Sequence, residues 1–137
     1  MKNLIFLVFL TATLLACSDD DHNDNGPILG EWKLMEATFY TIENDAFTES
    51  SIDYSNENII YNFQSNGILE VSGGQNVGYD DGEYDYFFDE DYLGSSNNPK
   101  VLLVKIDNSK WTYDLTNNLM TLSQSYVDGP TLIFEKL

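Results

Sequence analysis

The chain has 137 residues and a net charge of −17, with 23 Asp and Glu set against six basic residues, all of them Lys. That length holds one domain with a modest core. The sign of the charge excludes nucleic-acid binding, which needs a basic patch. A chain without Arg also lacks the fork that phosphate and carboxylate ligands usually require, whereas cationic partners and divalent ions are favoured.

Met1-Lys2-Asn3 supplies one positive charge, and Leu4 to Leu15 is apolar apart from Thr11 and Thr13. About twelve apolar residues make a signal-peptide core and fall short of the roughly 20 that span a bilayer. The run ends in Leu14-Leu15-Ala16-Cys17-Ser18-Asp19-Asp20-Asp21, which contains the only cysteine. This octet resembles a lipobox, where a bacterial secretory precursor is lipidated on Cys and cut just before it. The resemblance implies that residues 1–16 are a signal peptide and that Cys17 carries a diacylglyceryl thioether and an amide-linked acyl chain. Several chains on one residue give stable membrane anchoring where one gives only marginal binding. Ser18-Asp19-Asp20-Asp21 after Cys17 resembles the acidic export tag of surface lipoproteins in one Gram-negative phylum. It implies an outer-membrane location, on the cell surface rather than the periplasmic face. Residues 17–28 read as a lipidated acidic tether of Ser, Asp and Asn ending in Gly26-Pro27. Asp21 to Gly26 begins like an EF-hand loop, but the twelfth position is Trp32 where Glu is needed, so the segment is read as tether.

From residue 29 to 137 short β-prone runs alternate with turn residues. Gly30 to Tyr40 is a first strand, with Trp32 and Leu34 on one face. Residues 43–57 are polar and read as a loop or one short helical turn. Asn58 to Gln64 is a second strand, and Asn66-Gly67 predicts a primed hairpin turn into Ile68 to Ser72. Gly82 to Phe88 places Tyr84, Tyr86 and Phe88 on one face, and 89–99 is a polar loop. Lys100 to Ile106 is the most continuously apolar strand. Asp107-Asn108 turns into Lys110 to Leu115, Asn117-Asn118 into Leu119 to Ser123, and Asp128-Gly129-Pro130 into Thr131 to Lys136. The expected fold is all-β: about eight strands in an antiparallel up-and-down meander, closed as a barrel or half-barrel. Closure removes exposed strand edges. Trp32, Phe63, Trp111 and Phe134 are the expected core.

Ile28-Leu29-Gly30-Glu31-Trp32, Tyr61-Asn62-Phe63, Gly82-Glu83-Tyr84, Trp111, Leu119-Met120-Thr121-Leu122 and Leu132-Ile133-Phe134-Glu135-Lys136 follow one another in an order that resembles the small lipocalin-like domains of bacterial lipoproteins. The resemblance implies that Trp32 closes the barrel floor. Lipocalins stack an Arg from the last strand on that Trp; here Lys136 holds the corresponding place.

The densest chemistry lies at 79–92. Asp80, Asp81, Asp85, Asp89 and Asp91 are candidate Ca²⁺ ligands, because this ion takes six to eight oxygens. Tyr79, Tyr84, Tyr86 and Tyr92 are candidate sugar or ligand contacts, since ring faces stack on pyranose faces. The same pattern equally describes a strand with an aromatic face in the core and an acidic face in solvent. No cofactor other than Ca²⁺ is suggested. The only histidine, His22, lies in the tether, so the domain has no Ser-His or Cys-His pair and no nitrogen or sulfur ligand for zinc. A two-carboxylate glycosidase needs a cleft that so small a domain rarely builds. A non-enzymatic binding module is therefore expected. Its partner is a small apolar ligand if the barrel is hollow, a glycan if the tyrosines form an exposed row, or a basic protein if the interior is filled and the exterior acidic.

Overall fold

Nine strands form a single antiparallel sheet: β1 (Gly30–Glu43), β2 (Ala46–Asp53), β3 (Ile60–Phe63), β4 (Ile68–Ser72), β5 (Gly82–Asp91), β6 (Val101–Ile106), β7 (Ser109–Thr116), β8 (Leu119–Ser123) and β9 (Thr131–Lys136). This computed structural model describes residues 26–43 and 46–137. Cys17 and the segments expected to be signal peptide and tether, up to Asn25, lie outside them. The strand order is β2-β1-β3-β4-β5-β6-β7-β8-β9, and β1 also pairs with β9. That last pairing closes β1 and β3 to β9 into an eight-stranded up-and-down barrel, and β2 stands outside it. The lipocalin-like all-β architecture follows from the period-2 alternation of the strands, which puts one face of each into a common core.

Trp32, Phe63, Trp111 and Phe134 are all at most 3% exposed. They share the interior with Leu34, Tyr61, Leu69, Val71, Tyr86, Val104, Ile106, Met120, Leu122 and Leu132. Edge-to-face ring pairs knit the layers: Tyr61 with Phe134 at 4.8 Å and Phe63 with Tyr86 at 5.0 Å. β1 carries a β-bulge between Leu34 and Glu36. It switches the inward face from Trp32 and Leu34 to Ala37 and Phe39, as one extra residue does.

Four details differ from the sequence reading. Residues 89–91, expected in a polar loop, continue β5 to Asp91. Residues 46–53, expected as loop or helical turn, form β2, which pairs with β1 from Glu36↔Asp53 to Glu43↔Ala46. Every position of β2 is exposed, so no apolar alternation marked it; its main-chain ladder with β1 holds it in place. The Asn66-Gly67 hairpin is not a primed two-residue turn. Only Gly67 takes positive φ, +83°. Gln64 N–H donates to Ile68 O at 2.9 Å and Gly67 N–H to Gln64 O at 3.2 Å, the pattern of a three-residue loop ending in a left-handed glycine. The packed body also begins earlier than Leu29: a 3₁₀ turn at Gly26–Ile28 precedes β1, and Ile28 is fully buried. Asn117-Asn118, expected as a turn, is the primed one, with φ of +54° and +65°.

Because the strands alternate in direction, the two ends of the barrel are distinct. Gly26, the 64–67 turn, the 92–100 loop, the 117–118 turn and Leu137 gather at one end, here the tether end. The β1–β2 hairpin, the 73–81 segment, the 107–108 turn and the 124–130 segment gather at the other, here the far end.

Candidate functional site

Both ends of the barrel are plugged by the chain itself. At the tether end Trp32 Nε1–H donates to Ile28 O at 2.7 Å. Lys136 from β9 places Nζ 4.8 Å from the Trp32 ring centroid and donates to Leu29 O at 2.8 Å. This is the cation-over-tryptophan arrangement that the lipocalin-like resemblance implies, made with Lys in the place of Arg.

At the far end residues 73–81 fold across the opening. Tyr61 Oη–H donates to Val77 O at 3.3 Å and accepts the Tyr79 N–H at 3.1 Å. Trp111 Nε1–H donates to Tyr79 Oη at 3.0 Å. The crossing requires glycine at 78: it sits at φ +67°, and a Cβ there would lie 2.7 Å from Tyr61 Oη and 3.1 Å from Leu132 Cδ1. Burial pushes the Tyr61 phenol well above its usual range, the Tyr86 phenol up to about 12, and the Tyr79 phenol upward. Among the described residues no pocket opens into the interior or onto the surface.

The four tyrosines expected as ligand contacts are placed in different surroundings. Tyr86 is a core residue, 6% exposed, and its hydroxyl donates to Gln64 O at 2.6 Å. Tyr79 and Tyr84 pack edge to face at 4.9 Å within the far-end plug, and Tyr84 Oη–H donates to Asp80 O at 2.8 Å. Tyr92 lies at the tether end, with Lys100 Nζ 5.6 Å from its ring centroid. The structure thus brings Tyr79 and Tyr84 together and sets Tyr86 and Tyr92 apart from them.

The five expected Ca²⁺ ligands are likewise dispersed. Asp80 and Asp81 accept the N–H groups of Asn76 at 3.1 Å and Gly74 at 2.7 Å, bracing the plug. Asp89 accepts the Glu90 N–H at 2.7 Å. Asp91 pairs with Lys110 at 2.6 Å, and Lys110 also donates to Tyr92 O at 2.5 Å. The Lys110 hydrogen bond holds the Asp91 carboxyl below its usual range. Asp85 and Asp89 are four residues apart on one strand face, about 13 Å, too far to share one ion. Among the described residues no three His, Cys, Asp or Glu side chains gather as a metal centre.

What the geometry does assemble is the solvent-facing acidic side of β5, one of the alternatives the sequence offered, extended across neighbouring strands by acids the sequence did not place with it. Glu83, Asp85, Phe87, Asp89 and Asp91 alternate along the outside of β5. The strand register adds Glu70 directly opposite Glu83. Asn62 lies opposite both Glu70 and Glu31, so Glu31, Glu70 and Glu83 share one cross-strand row. Like charges directly opposite each other on neighbouring strands destabilise a sheet. Glu70 accepts a hydrogen bond from Gln64 Nε2–H at 3.2 Å. The signal in the sequence was the alternation of acids along β5, but their pairing with Glu70 needed the register.

No protein family, curated protein or solved structure matches the chain. Among the described residues no helix is long and apolar enough to cross a membrane.

Proposed function

We propose that the chain is a non-enzymatic lipoprotein, anchored in the outer membrane through acyl chains on Cys17 and displayed on the cell surface, whose barrel is a scaffold that docks a cationic protein partner on its acidic exterior. The observation that carries this reading is the filled barrel with a Glu70–Glu83 pair on its outside. Core aromatics occupy the space where a small apolar ligand would sit, and the chain closes both ends. Recognition is then left to the exterior, where like charges are kept opposite one another at a cost to the fold. A glycan reading has less support, because Tyr86 is inside the core and Tyr79 is committed to the plug.

The tether suits this arrangement. Cys17 stands nine residues before Gly26, a reach of at most about 30 Å. An anchored protein would keep its tether end near the bilayer and turn its far end outward.

Two measurements test the reading. Cys17→Ala is expected to leave an unprocessed precursor and to abolish membrane association; a processed, membrane-bound Cys17→Ala protein refutes the anchor. For docking, neutralising Glu70, Glu83 and Asp85 together is expected to weaken binding of a poly-lysine probe at least tenfold. Neutralising Asp114, Asp128 and Glu135 should change it less than twofold. Equal effects would mean diffuse charge and no docking face.

A further inference from the structure

We propose that β2 is a pairing edge, which accepts an extended, Lys- or Arg-bearing segment of the partner as an added antiparallel strand. Among the described residues β2 pairs only with β1 and ends the strand order. All eight of its residues are exposed. Every second residue of an edge strand turns its N–H and C=O outward, and such a row is a template for another chain. Proteins usually blunt an edge with Pro, Lys, a bulge or a very short strand. β2 has no Pro, Lys or bulge and is eight residues long; the charges it carries, Glu49 and Asp53, guard it against another acidic edge and leave it open to a cationic one. Its sequence is Ala-Phe-Thr-Glu-Ser-Ser-Ile-Asp, and its register with β1 is unbroken. Among the described residues every other strand has a partner strand on both sides, whereas β2 has β1 alone.

Charge selects the occupant. Phe47, Glu49, Ser51 and Asp53 alternate on one face of β2. A strand laid beside them gains from an apolar residue next to Phe47 and from cations next to Glu49 and Asp53. Ile42 lies opposite Phe47 on β1, and the two are 67% and 70% exposed, so the apolar contact is waiting at the hairpin tip. A second copy of the chain would instead bring the same carboxylates and a further charge of −17. The partner's form is thus a β-prone segment with two cations four residues apart and a large apolar residue two positions beyond. This inference rests on the reading of a cationic partner given above and adds to it the main-chain mode of contact.

The test uses the full-length lipidated protein in detergent and a blocked, fluorescent octapeptide, Lys-Val-Thr-Thr-Lys-Thr-Phe-Thr, written to pair antiparallel with β2. Two further peptides carry N-methyl groups on one or the other set of alternate residues, leaving charge and side chains unchanged. The parent peptide is expected to bind. One N-methylated peptide should bind at least tenfold more weakly, the other as well as the parent. Glu49→Lys with Asp53→Lys, at two exposed positions, should also weaken parent binding at least tenfold. If all three peptides bind alike, charge alone is responsible: the edge proposal falls and the cationic-partner reading stands. If none binds up to about 1 mM, the edge proposal falls, and the carboxylate neutralisation above judges the other reading separately. A concentration-dependent dimer with β2 amides protected from exchange in the absence of peptide would give the edge to a second copy and overturn the proposal.

Discussion

Trp32 and Lys136 meet at the tether end although 104 positions separate them, and their contact shows how single residues set the closure of this barrel. Truncating a buried Trp costs about 3–5 kcal/mol, so Trp32→Ala is expected to lower the urea midpoint sharply. Lys136 adds a smaller amount, because an exposed cation over an aromatic ring is worth about 0.5–1 kcal/mol. Lys136→Met should lose that amount and Lys136→Arg should keep it, read as midpoints against the parent. Tyr113 presents the opposite case. It packs edge to face on Phe88 at 4.8 Å, yet its buried hydroxyl has no hydrogen-bond partner among the described residues. Removing a buried, unsatisfied hydroxyl relieves its desolvation cost, so Tyr113→Phe should raise stability by about 1 kcal/mol. The Trp32 position was legible from Gly30-Glu31-Trp32 at the head of the first strand. The orphaned Tyr113 was not, because alternation says which way a side chain points and nothing about what its far end meets.

At the scale of strands, apolar alternation identified every strand that lines the core and missed the one that does not. β3, β7 and β9 alternate cleanly and were read to within a few residues. β2 buries no side chain, and its evenly mixed polar sequence carries the signature of a loop. The bulge in β1 was equally silent: it shifts the inward face by one residue without any Gly or Pro to mark it. The acidic residues of β5 were visible as a cluster, but Glu70 of β4 was not read with them, because a sequence gives spacing along one strand and not the register between two. That register predicts a trade. Glu83→Lys turns the Glu70–Glu83 repulsion into an attraction, worth about 0.2–1 kcal/mol across a strand pair. The variant should therefore melt at a higher temperature by calorimetry while binding a cationic probe less well.

For the whole molecule, burial of phenols dictates how stability responds to pH. Tyr61, Tyr79, Tyr86 and Tyr113 all have phenols raised above their usual range, with burial as the leading cause. In the unfolded chain these groups ionise near pH 10, while the folded protein keeps them neutral. The unfolded state therefore binds fewer protons above that pH, and stability falls as pH rises. The contribution is fully present below about pH 9 and is lost progressively from about pH 10 upward through the raised folded values. Urea midpoints at about pH 8 and pH 11 should show the loss. Phenolate absorbance should show late-titrating tyrosines that shift to ordinary behaviour in denaturant.

The 14 residues of β1 run from the tether end to the β1–β2 hairpin at the opposite end. An extended strand is already near the contour limit of its backbone, about 3.4 Å per residue against a maximum of about 3.6 Å. Tension applied between an N-terminal anchor and the hairpin tip therefore passes along covalent bonds that are almost taut from the start. The other barrel strands hang beside that line without bearing the load. A protein held at one end and gripped at the other would transmit force without unravelling its core.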